Sequence, residues 1–502
     1  MLTRATYHRQ SFAYMATFLL MVTGQLVGQH RGDYLAYQGM AHLERSGAKA
    51  QAMGGAITAI PGDLNAIFWN PAGLSSIDRP RLAVSMSSNS KLWQENQVYR
   101  PNRLYVTLPF YLEGLYVPDP ANNGRLDHEL AQDTNYVVAY PELGLEPFSE
   151  AAADWQNEIV EKGFNQVAVA APMRLFGKSV VLGLAYHMQS GMLDYDRNDT
   201  YLAPHLGSTE YEILWRVETD TANVDWNRFL RKRSGETRKI HGAAAITLSE
   251  RIQLGIRLNL FTGETDDVQS LNKIGYFHLY DDNRFSFSYD TLKTETAGYS
   301  TFSALDLTLG GLLKLTNFNV GISITLPYTM NREWEYETVI SDTGQSLTTP
   351  ESGKDQLKLP ASYTLGLSFT PTEAFTLAFD IEKLPYSEAT FDLANGDTTH
   401  KPWVDSSVLR LGVEFRPTDF LSLRGGYQYI GQEFVPDGAA FKTQGPAANR
   451  YTLGTSLRLG GLGRVDIAYH WQQLKYYDSY YSNTNYVLEL FNRMTVEYVY
   501  SF

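Results

Sequence analysis

From Pro80 to the C-terminus the sequence is a series of short runs that alternate apolar and polar residues, and the runs come in pairs joined by very short turns. Within residues 251–260, Ile252, Leu254, Ile256, Leu258 and Leu260 fall on one face, and Arg251, Gln253, Gly255, Arg257 and Asn259 on the other. A period of two marks a strand with one apolar face. Residues 407–416 repeat it, with Leu409, Leu411, Val413 and Phe415 opposed to Arg410, Gly412, Glu414 and Arg416. So do residues 421–429, with Leu421, Leu423, Gly425, Tyr427 and Tyr429 opposed to Ser422, Arg424, Gly426 and Gln428. A soluble sandwich would alternate in the same way, so the connections decide. Tight turns are expected at 176–178, 249–250, 316–317, 372–373, 417–419 and 461–463. Long polar segments are expected at 91–164, 191–238, 262–299, 328–359, 384–405, 431–448 and 476–490. Short turns at one end and long loops at the other specify a transmembrane antiparallel β-barrel. One strand from Pro80, six hairpins and a last strand ending at Phe502 give about fourteen strands, an even number that puts both chain ends on the periplasmic side. Each strand is expected to be about ten residues long, enough to cross a bilayer while tilted.

Composition agrees. Aromatic residues make up 13% of the chain, with 33 Tyr and 24 Phe, and an aromatic ring carrying a polar group suits the membrane–water boundary. The net charge of −13 argues against a nucleic-acid partner. Cysteine is absent, so disulfides and thiolate metal sites are excluded. The mean hydropathy of −0.28 does not oppose a barrel, whose polar interior and loops dilute the apolar signal. Arg4, His8 and Arg9 precede an apolar core from Phe12 to Val22, too short to span a membrane, so residues 1–28 read as an export signal. In the last run Met494, Val496, Tyr498, Tyr500 and Phe502 are expected to face outward and Arg493, Thr495, Glu497 and Ser501 inward. The terminal aromatic resembles the signal read by the outer-membrane assembly machinery.

No enzyme motif is present: neither a Gly-x-Ser-x-Gly elbow, nor a phosphate-binding lysine loop, nor His-Glu-x-x-His. Asp194, Asp196 and Asn198 match the start of a calcium loop, but Asp199 and His205 stand where Gly and Glu are needed, so a solvated acidic loop is expected. Asp266–Asp267 and Asp281–Asp282 read as surface charge. No cofactor, metal or catalytic residue is assigned. Arg257, Arg410, Glu414, Arg416, Arg424, Arg493 and Glu497 are expected to face the lumen, since a charge facing lipid costs about 2–4 kcal/mol near the midplane. Two roles stay open for them: a polar wall salt-bridged to the N-terminal segment, or arginines that grip a carboxylate ligand bidentately. Two helices are expected in the long loops. One spans residues 149–163, capped by Ser149, and the other spans 225–235, with Arg228, Arg231, Lys232 and Arg233 on one face. Such a basic face would be solvated or would contact lipopolysaccharide phosphates.

Ahead of the first strand lies GAKAQAMGGAITAIPGDLNAIFWNPAGLSSIDRPRLAV, from Gly47 to Val84. Its small residues, Gly54 and Gly55 among them, allow close backbone packing. Short helices are expected up to Ala59, then an apolar patch at Ile67, Phe68 and Trp69 and a sharp turn at Asn70, Pro71, Ala72 and Gly73. In that order these features resemble the N-terminal hatch of the FadL family of outer-membrane long-chain fatty-acid transporters. The resemblance implies an outer-membrane barrel (residues 80–502) with a hatch inside its lumen (residues 29–79). It implies passive uptake of fatty acids or other hydrophobic small molecules by a monomer embedded in outer-membrane lipid and lipopolysaccharide. Phe68 and Trp69 are candidates to line the pocket. Extracellular helices would resemble those that gather lipid in the family. A second reading, also compatible with the hatch, is a PorV-like shuttle of type IX secretion that holds secreted proteins with its loops. An open porin is disfavoured by the small-residue segment.

Overall fold

The computed structural model describes residues 35–40, 45–99, 146–175, 177–204, 221–280, 285–342, 345–394, 403–436, 439, 441–479 and 483–502. The expected export signal and the Asp281–Asp282 pair lie outside the described residues. All strands belong to one antiparallel sheet. They are β1 (Arg81–Tyr99), β2 (Trp155–Leu175), β3 (Lys178–Pro204), β4 (Thr221–Thr247), β5 (Ile252–Tyr280), β6 (Phe285–Lys314), β7 (Phe318–Thr325), β8 (Tyr328–Asp342) and β9 (Gln345–Leu359), followed by β10 (Ser362–Thr372), β11 (Phe375–Leu384), β12 (Thr390–Asp392), β13 (Ser406–Phe415), β14 (Leu421–Gly431), β15 (Ala447–Arg458), β16 (Arg464–Ser479) and β17 (Asn483–Ser501). β1 pairs with β2 on one side and with β17 on the other, from Arg81 opposite Ser501 to Tyr99 opposite Asn483. The sheet is therefore closed.

Three strands are interrupted, at Pro327 between β7 and β8, at Pro360 between β9 and β10, and at Pro385 between β11 and β12. Proline cannot donate to a ladder, yet β6 pairs with β7 on one side of the first break and with β8 on the other. Counting each interrupted strand once gives the fourteen strands of the barrel, as expected from the sequence.

The period-two pattern now has a physical meaning. On β5, Leu254, Ile256, Leu258 and Leu260 are exposed on the outer face, while Gln253, Arg257 and Asn259 are buried on the inner face. The same inversion holds on β13, where Leu409, Leu411 and Phe415 face out and Arg410 and Glu414 face in, and on β17, where Met494, Val496 and Tyr498 face out and Arg493 and Glu497 face in. Greasy residues outside and charges inside are stable only if the outer solvent is hydrocarbon. Five of the six tight turns fall among the described residues where the sequence places them, and Phe176 of the first lies outside the described residues.

The far end differs from the sequence reading. Crossing a bilayer takes about 9–11 tilted residues, but β3, β4, β5 and β6 run for 27, 27, 29 and 30 residues. Much of what reads as long loop is strand that projects beyond the apolar belt. On β5 the belt ends at Leu260, and Thr262, Glu264 and Asp266 take over the outer face. Neither loop helix exists. Residues 149–163 form one 3-10 turn, Glu150–Ala152, and then enter β2; residues 225–235 lie within β4. Asp194 and Asp196 are in β3, and both pair with Arg231 of β4. In the N-terminal segment the described helices are single short turns, Ala48–Ala52 and Ala66–Trp69.

If the exposed face of β5 meets lipid, Ile256→Arg should destabilise the barrel in vesicles by about 2–4 kcal/mol and Thr262→Arg, beyond the belt, by less than about 1 kcal/mol. Urea unfolding of the two variants gives the comparison, and equal losses would refute the assignment of the belt.

Candidate functional site

Residues 45–77, which precede β1, lie against the inner face of the sheet. The helical turns of this segment are too short to satisfy their own backbone groups, and inward-facing side chains do so instead. The carboxylate of Glu497 accepts from the Ala48 N–H at 2.6 Å, and Asp380 accepts from the N–H groups of Ile57 and Thr58 at 3.2 and 3.0 Å. Ser368 donates to the Ala59 carbonyl at 2.9 Å, Ser323 to that of Trp69 at 3.0 Å and Arg257 to that of Ile67 at 3.0 Å. Asn70 works in two directions. Its Oδ1 accepts from the Ala72 N–H at 3.1 Å, capping the 3-10 turn Pro71–Ser76. Its Nδ2 donates to the carbonyls of Thr58 and of Gly311 in β6, at 2.7 and 3.1 Å.

Close approach requires a wall without side chains at the points of contact. A Cβ on Gly255 or Gly310 would collide with the Asn70–Ala72 turn, one on Gly321 with the Thr58 carbonyl, and one on Gly412 or Gly426 with the backbone of Met53 and Gly54. Several of these glycines sit opposite one another across strand pairs, Gly255 with Gly310 and Gly412 with Gly426. Gly54 and Gly55 have φ of 60° and 73°, a backbone region that glycine adopts without strain. Gly73 packs against Ala66 and the Ile60 carbonyl.

Four of the seven lumen charges singled out from sequence separate into distinct roles. Glu414 and Arg424 pair at 2.6 Å and join Lys49 of the segment, whose Nζ lies 3.1 Å from Asp63 and 4.0 Å from Glu414. Arg257 clamps the Ile67 carbonyl and also donates to Thr308 at 2.9 Å. Arg410 stacks on the Trp69 ring at 5.2 Å, Arg45 stacks on the same ring at 5.1 Å, and Glu382 pairs with both arginines. Phe68 meets His241 edge-on at 5.1 Å. Phe68 and Trp69 are thus both buried, Trp69 between two cations and Phe68 against imidazole. Arg45, Lys239, Asp380 and Glu382 were not anticipated from sequence. Asp380 and Glu382 lie at alternating positions on β11, which is the signal that marks them as inward-facing.

Asp63 is buried. Burial alone would raise its pKa, but Lys49 and Arg464 outweigh that and hold it below the usual carboxylate range. A depressed folded-state pKa contributes stability above the unfolded value and loses it as pH falls through the folded one. This contact therefore persists through mildly acidic pH.

Above this charged layer, at the projecting end, Tyr37 and Met40 from residues 35–40 pack with Phe261, Phe302, Met330, Leu357 and Leu359. Arg233, expected from the sequence on a solvated or lipopolysaccharide-facing basic surface, is instead fully buried there, because it is inward-facing on β4 and paired across to β5. It pairs with Asp267 at 2.8 and 2.7 Å and donates to the carbonyls of Ala36 and Gln38 at 3.1 and 3.0 Å. Asp267 is thus buried and paired, not surface charge as its sequence context suggests; Asp266 beside it is exposed.

The wall is not uniformly zipped. The β2–β3 ladder runs from Leu175 opposite Lys178 to Gln166 opposite His187. Beyond that, β2 pairs only with β1 and β3 only with β4, although both strands continue. The break begins where Asn165 is inserted as a bulge in β2. Side chains bridge the seam: Glu161 accepts from the Met192 N–H at 2.8 Å, Lys91 donates to the Met192 carbonyl at 2.6 Å, and Trp93, Trp155 and Met192 form an apolar cluster.

Among the described residues no group of three or more His, Asp or Glu side chains is placed to hold a metal ion. The closed sheet, its apolar outer belt and its charged interior define a transmembrane β-barrel of the outer-membrane type. The same fold is seen in a Pseudomonas aeruginosa FadL homologue (TM-score 0.58, 14% identity, 92% of this chain and 99% of that one). It is seen too in the Pseudomonas putida toluene transporter TodX (TM-score 0.50, 14% identity, 92% and 99%) and in the monoaromatic hydrocarbon channel CymD (TM-score 0.50, 14% identity, 91% and 97%). No family model and no curated protein matches the sequence.

Two outcomes are expected. Gly426→Val should unseat the inner segment and raise ion conductance in planar bilayers, while Gly425→Val, whose Cβ would meet nothing closer than 3.8 Å, should not; equal conductance in both would contradict the close-contact argument. Asp63→Asn should leave Lys49 poorly compensated, cost up to about 3 kcal/mol and raise conductance at neutral pH. The wild type should stay closed down to about pH 4, the unperturbed carboxylate range.

Proposed function

We propose that this protein resides in the outer membrane and passes hydrophobic small molecules between its lumen and the edge of the bilayer, with residues 29–79 acting as a plug. The open β2–β3 seam carries this reading. A polar solute needs an aqueous path along the whole bore, past residues 45–77 and the hydrogen bonds they make to the inner wall. A hydrophobic solute needs only a lateral gap, because it gains about 0.8 kcal/mol per CH₂ on leaving water. The seam starts about ten residues above the short turns, at the upper limit of a bilayer crossing, with Phe164 and Tyr186 stacked on its outer side at 6.2 Å.

The finer proposal is a fatty-acid-like cargo. Arg45, Lys239, Arg257 and Arg410 lie within electrostatic reach of one another or of Glu382 and Asp306, so cations outnumber acids in this layer. The Nε atoms of Arg257 and Arg410 and Nη1 of Arg410 lack hydrogen-bond partners among the described residues. A carboxylate suits such a layer, and an acyl chain suits the apolar cluster above it, in place of Tyr37 and Met40. Three similar structures bear names that speak of a FadL homologue, a toluene transporter and a hydrocarbon channel, which fits a hydrophobic cargo of either kind.

Cells with and without the protein should differ in uptake of labelled oleate. Replacing Asn157 and Met192 by cysteine and bridging them with a short bifunctional thiol reagent should close the seam and abolish the difference; Asn157 Nδ2 and Met192 Sδ are 3.6 Å apart. Arg45→Gln with Arg257→Gln should lower oleate uptake several-fold and leave toluene uptake unchanged. Unchanged oleate uptake on deleting the protein would overturn the transport reading and favour a shuttle for secreted proteins.

A further inference from the structure

The periplasmic end of the barrel carries a charge pattern that transport does not require. The inward-facing ends of β2, β6 and β15 are Arg174, Lys314 and Arg458, and Arg251 immediately precedes β5 on the same inner parity. Parity fixes this: Ala170, Leu312, Ser456 and Gln253, an even number of residues further in, are buried in the interior. Arg81, Arg416 and Arg464 occupy the equivalent ends of β1, β13 and β16, but these pair with Asp78, Glu414 and Asp466. Arg174, Arg251, Lys314 and Arg458 have no acid within ion-pair distance among the described residues; Lys314 donates only to the Ser76 hydroxyl, at 3.4 Å. Of the acids at this end, Asp78, Glu414 and Asp466 are engaged by Arg81, Arg416 and Arg464, and Glu250, Glu373 and Asp419 sit in the turns between strands. A chain of net charge −13 thus rings one mouth with cations.

These cations do not line a water path. Directly above them Arg81 holds the Gly62 carbonyl at 2.7 Å, Gln253 donates to the Ser76 hydroxyl at 2.9 Å and Arg464 lies 3.9 Å from Asp63. Nor do they point at lipid headgroups, because their lipid-side neighbours are Met173, Leu175, Leu313 and Leu457, all exposed. They are also spread over β2, β5, β6 and β15, too widely for one small anion to engage. A broad anionic surface arriving from the periplasm engages all of them.

We propose that this end of the barrel is a docking surface for a soluble periplasmic protein that presents a carboxylate-rich face. This goes beyond the uptake reading and does not depend on the cargo.

Benzoylphenylalanine placed at Asn317 or Glu373, in the turns beside the ring, should yield in intact cells a discrete photoadduct with a soluble protein; the same probe at Thr262, on the projecting end, should not. Arg174→Gln, Arg251→Gln, Lys314→Gln and Arg458→Gln together should reduce the adduct about tenfold, as expected for several weak exposed pairs acting together. The charge-keeping set Arg174→Lys, Arg251→Lys, Lys314→Arg and Arg458→Lys should retain it. Purified protein in zwitterionic nanodiscs should bind poly-L-glutamate in a manner abolished by high salt. Heat-modifiable gel mobility reports folding of each variant. Should the Gln set fail to fold, the charge-keeping set and the salt series still decide. An absent adduct, an adduct that survives the Gln set, loss in the charge-keeping set despite folding, or adducts with phospholipid alone would each overturn the proposal. Oleate uptake measured on the same variants separates this outcome from failure of the transport reading.

Discussion

Hydrocarbon offers a backbone no hydrogen bonds, and this governs the architecture. Every N–H and C=O at membrane depth must be paired within the sheet. A closed ladder achieves that, which is why β1 must meet β17. The same requirement sets where the ladder can open. β2 and β3 separate only after about one bilayer crossing, at Gln166 and His187. There side chains such as Glu161 and Lys91, and water, can satisfy what the partner strand does not. A gap lower in the belt would leave several backbone groups facing lipid at a cost of several kcal/mol each.

The inner segment solves a related problem by different means. It carries irregular backbone into a confined interior, where unsatisfied groups are costly. Strand interiors donate the missing partners through Asp380, Ser323, Ser368, Arg257 and Glu497. Reaching those partners needs backbone-to-wall distances that a Cβ forbids, so Gly255, Gly310, Gly321, Gly412 and Gly426 stand at the contacts. Glycine weakens a strand by roughly 0.5–1 kcal/mol relative to alanine; a wall hydrogen-bonded on both sides tolerates that loss.

How much of this the sequence disclosed depends on whether the relevant contrast is local. Within the belt it is: on β5 each Leu or Ile alternates with a polar residue, and Arg257 could be assigned to the lumen from parity alone. Beyond Leu260 both faces are polar, Thr262, Glu264 and Asp266 outside and Gly263, Thr265 and Asp267 inside, so the period disappears and strand reads as loop. The helix expected over residues 225–235 misled for a similar reason. What holds that stretch extended is the pairing of Arg231 with Asp194 and of Arg233 with Asp267, on neighbouring strands more than thirty residues away. Parity also assigned Arg410 and Glu414 to the lumen, but their partners Glu382 and Lys49 depend on register and on the path of the first residues. Arg45, in a stretch with no periodicity, gave no signal at all.

Residues 50–77 are held by apolar packing against the wall as well as by hydrogen bonds, but the attachment of residues 35–40 has a consequence for motion. Apolar packing resists separation because water gains nothing from the exposed faces. Hydrogen bonds and ion pairs exchange for water at a net loss of only about 0.5–1.5 kcal/mol each. The contacts that hold residues 35–40, through Arg233 to the carbonyls of Ala36 and Gln38, are of the exchangeable kind, while Tyr37 and Met40 supply a small apolar plug between Phe302 and Leu357. An apolar ligand can replace those two side chains at little net change in buried area. Arg233 would remain neutralised by Asp267 whether or not the segment is in place. The buried pair therefore keeps the upper lumen stable with the segment seated or displaced, which a lone arginine facing two carbonyls would not.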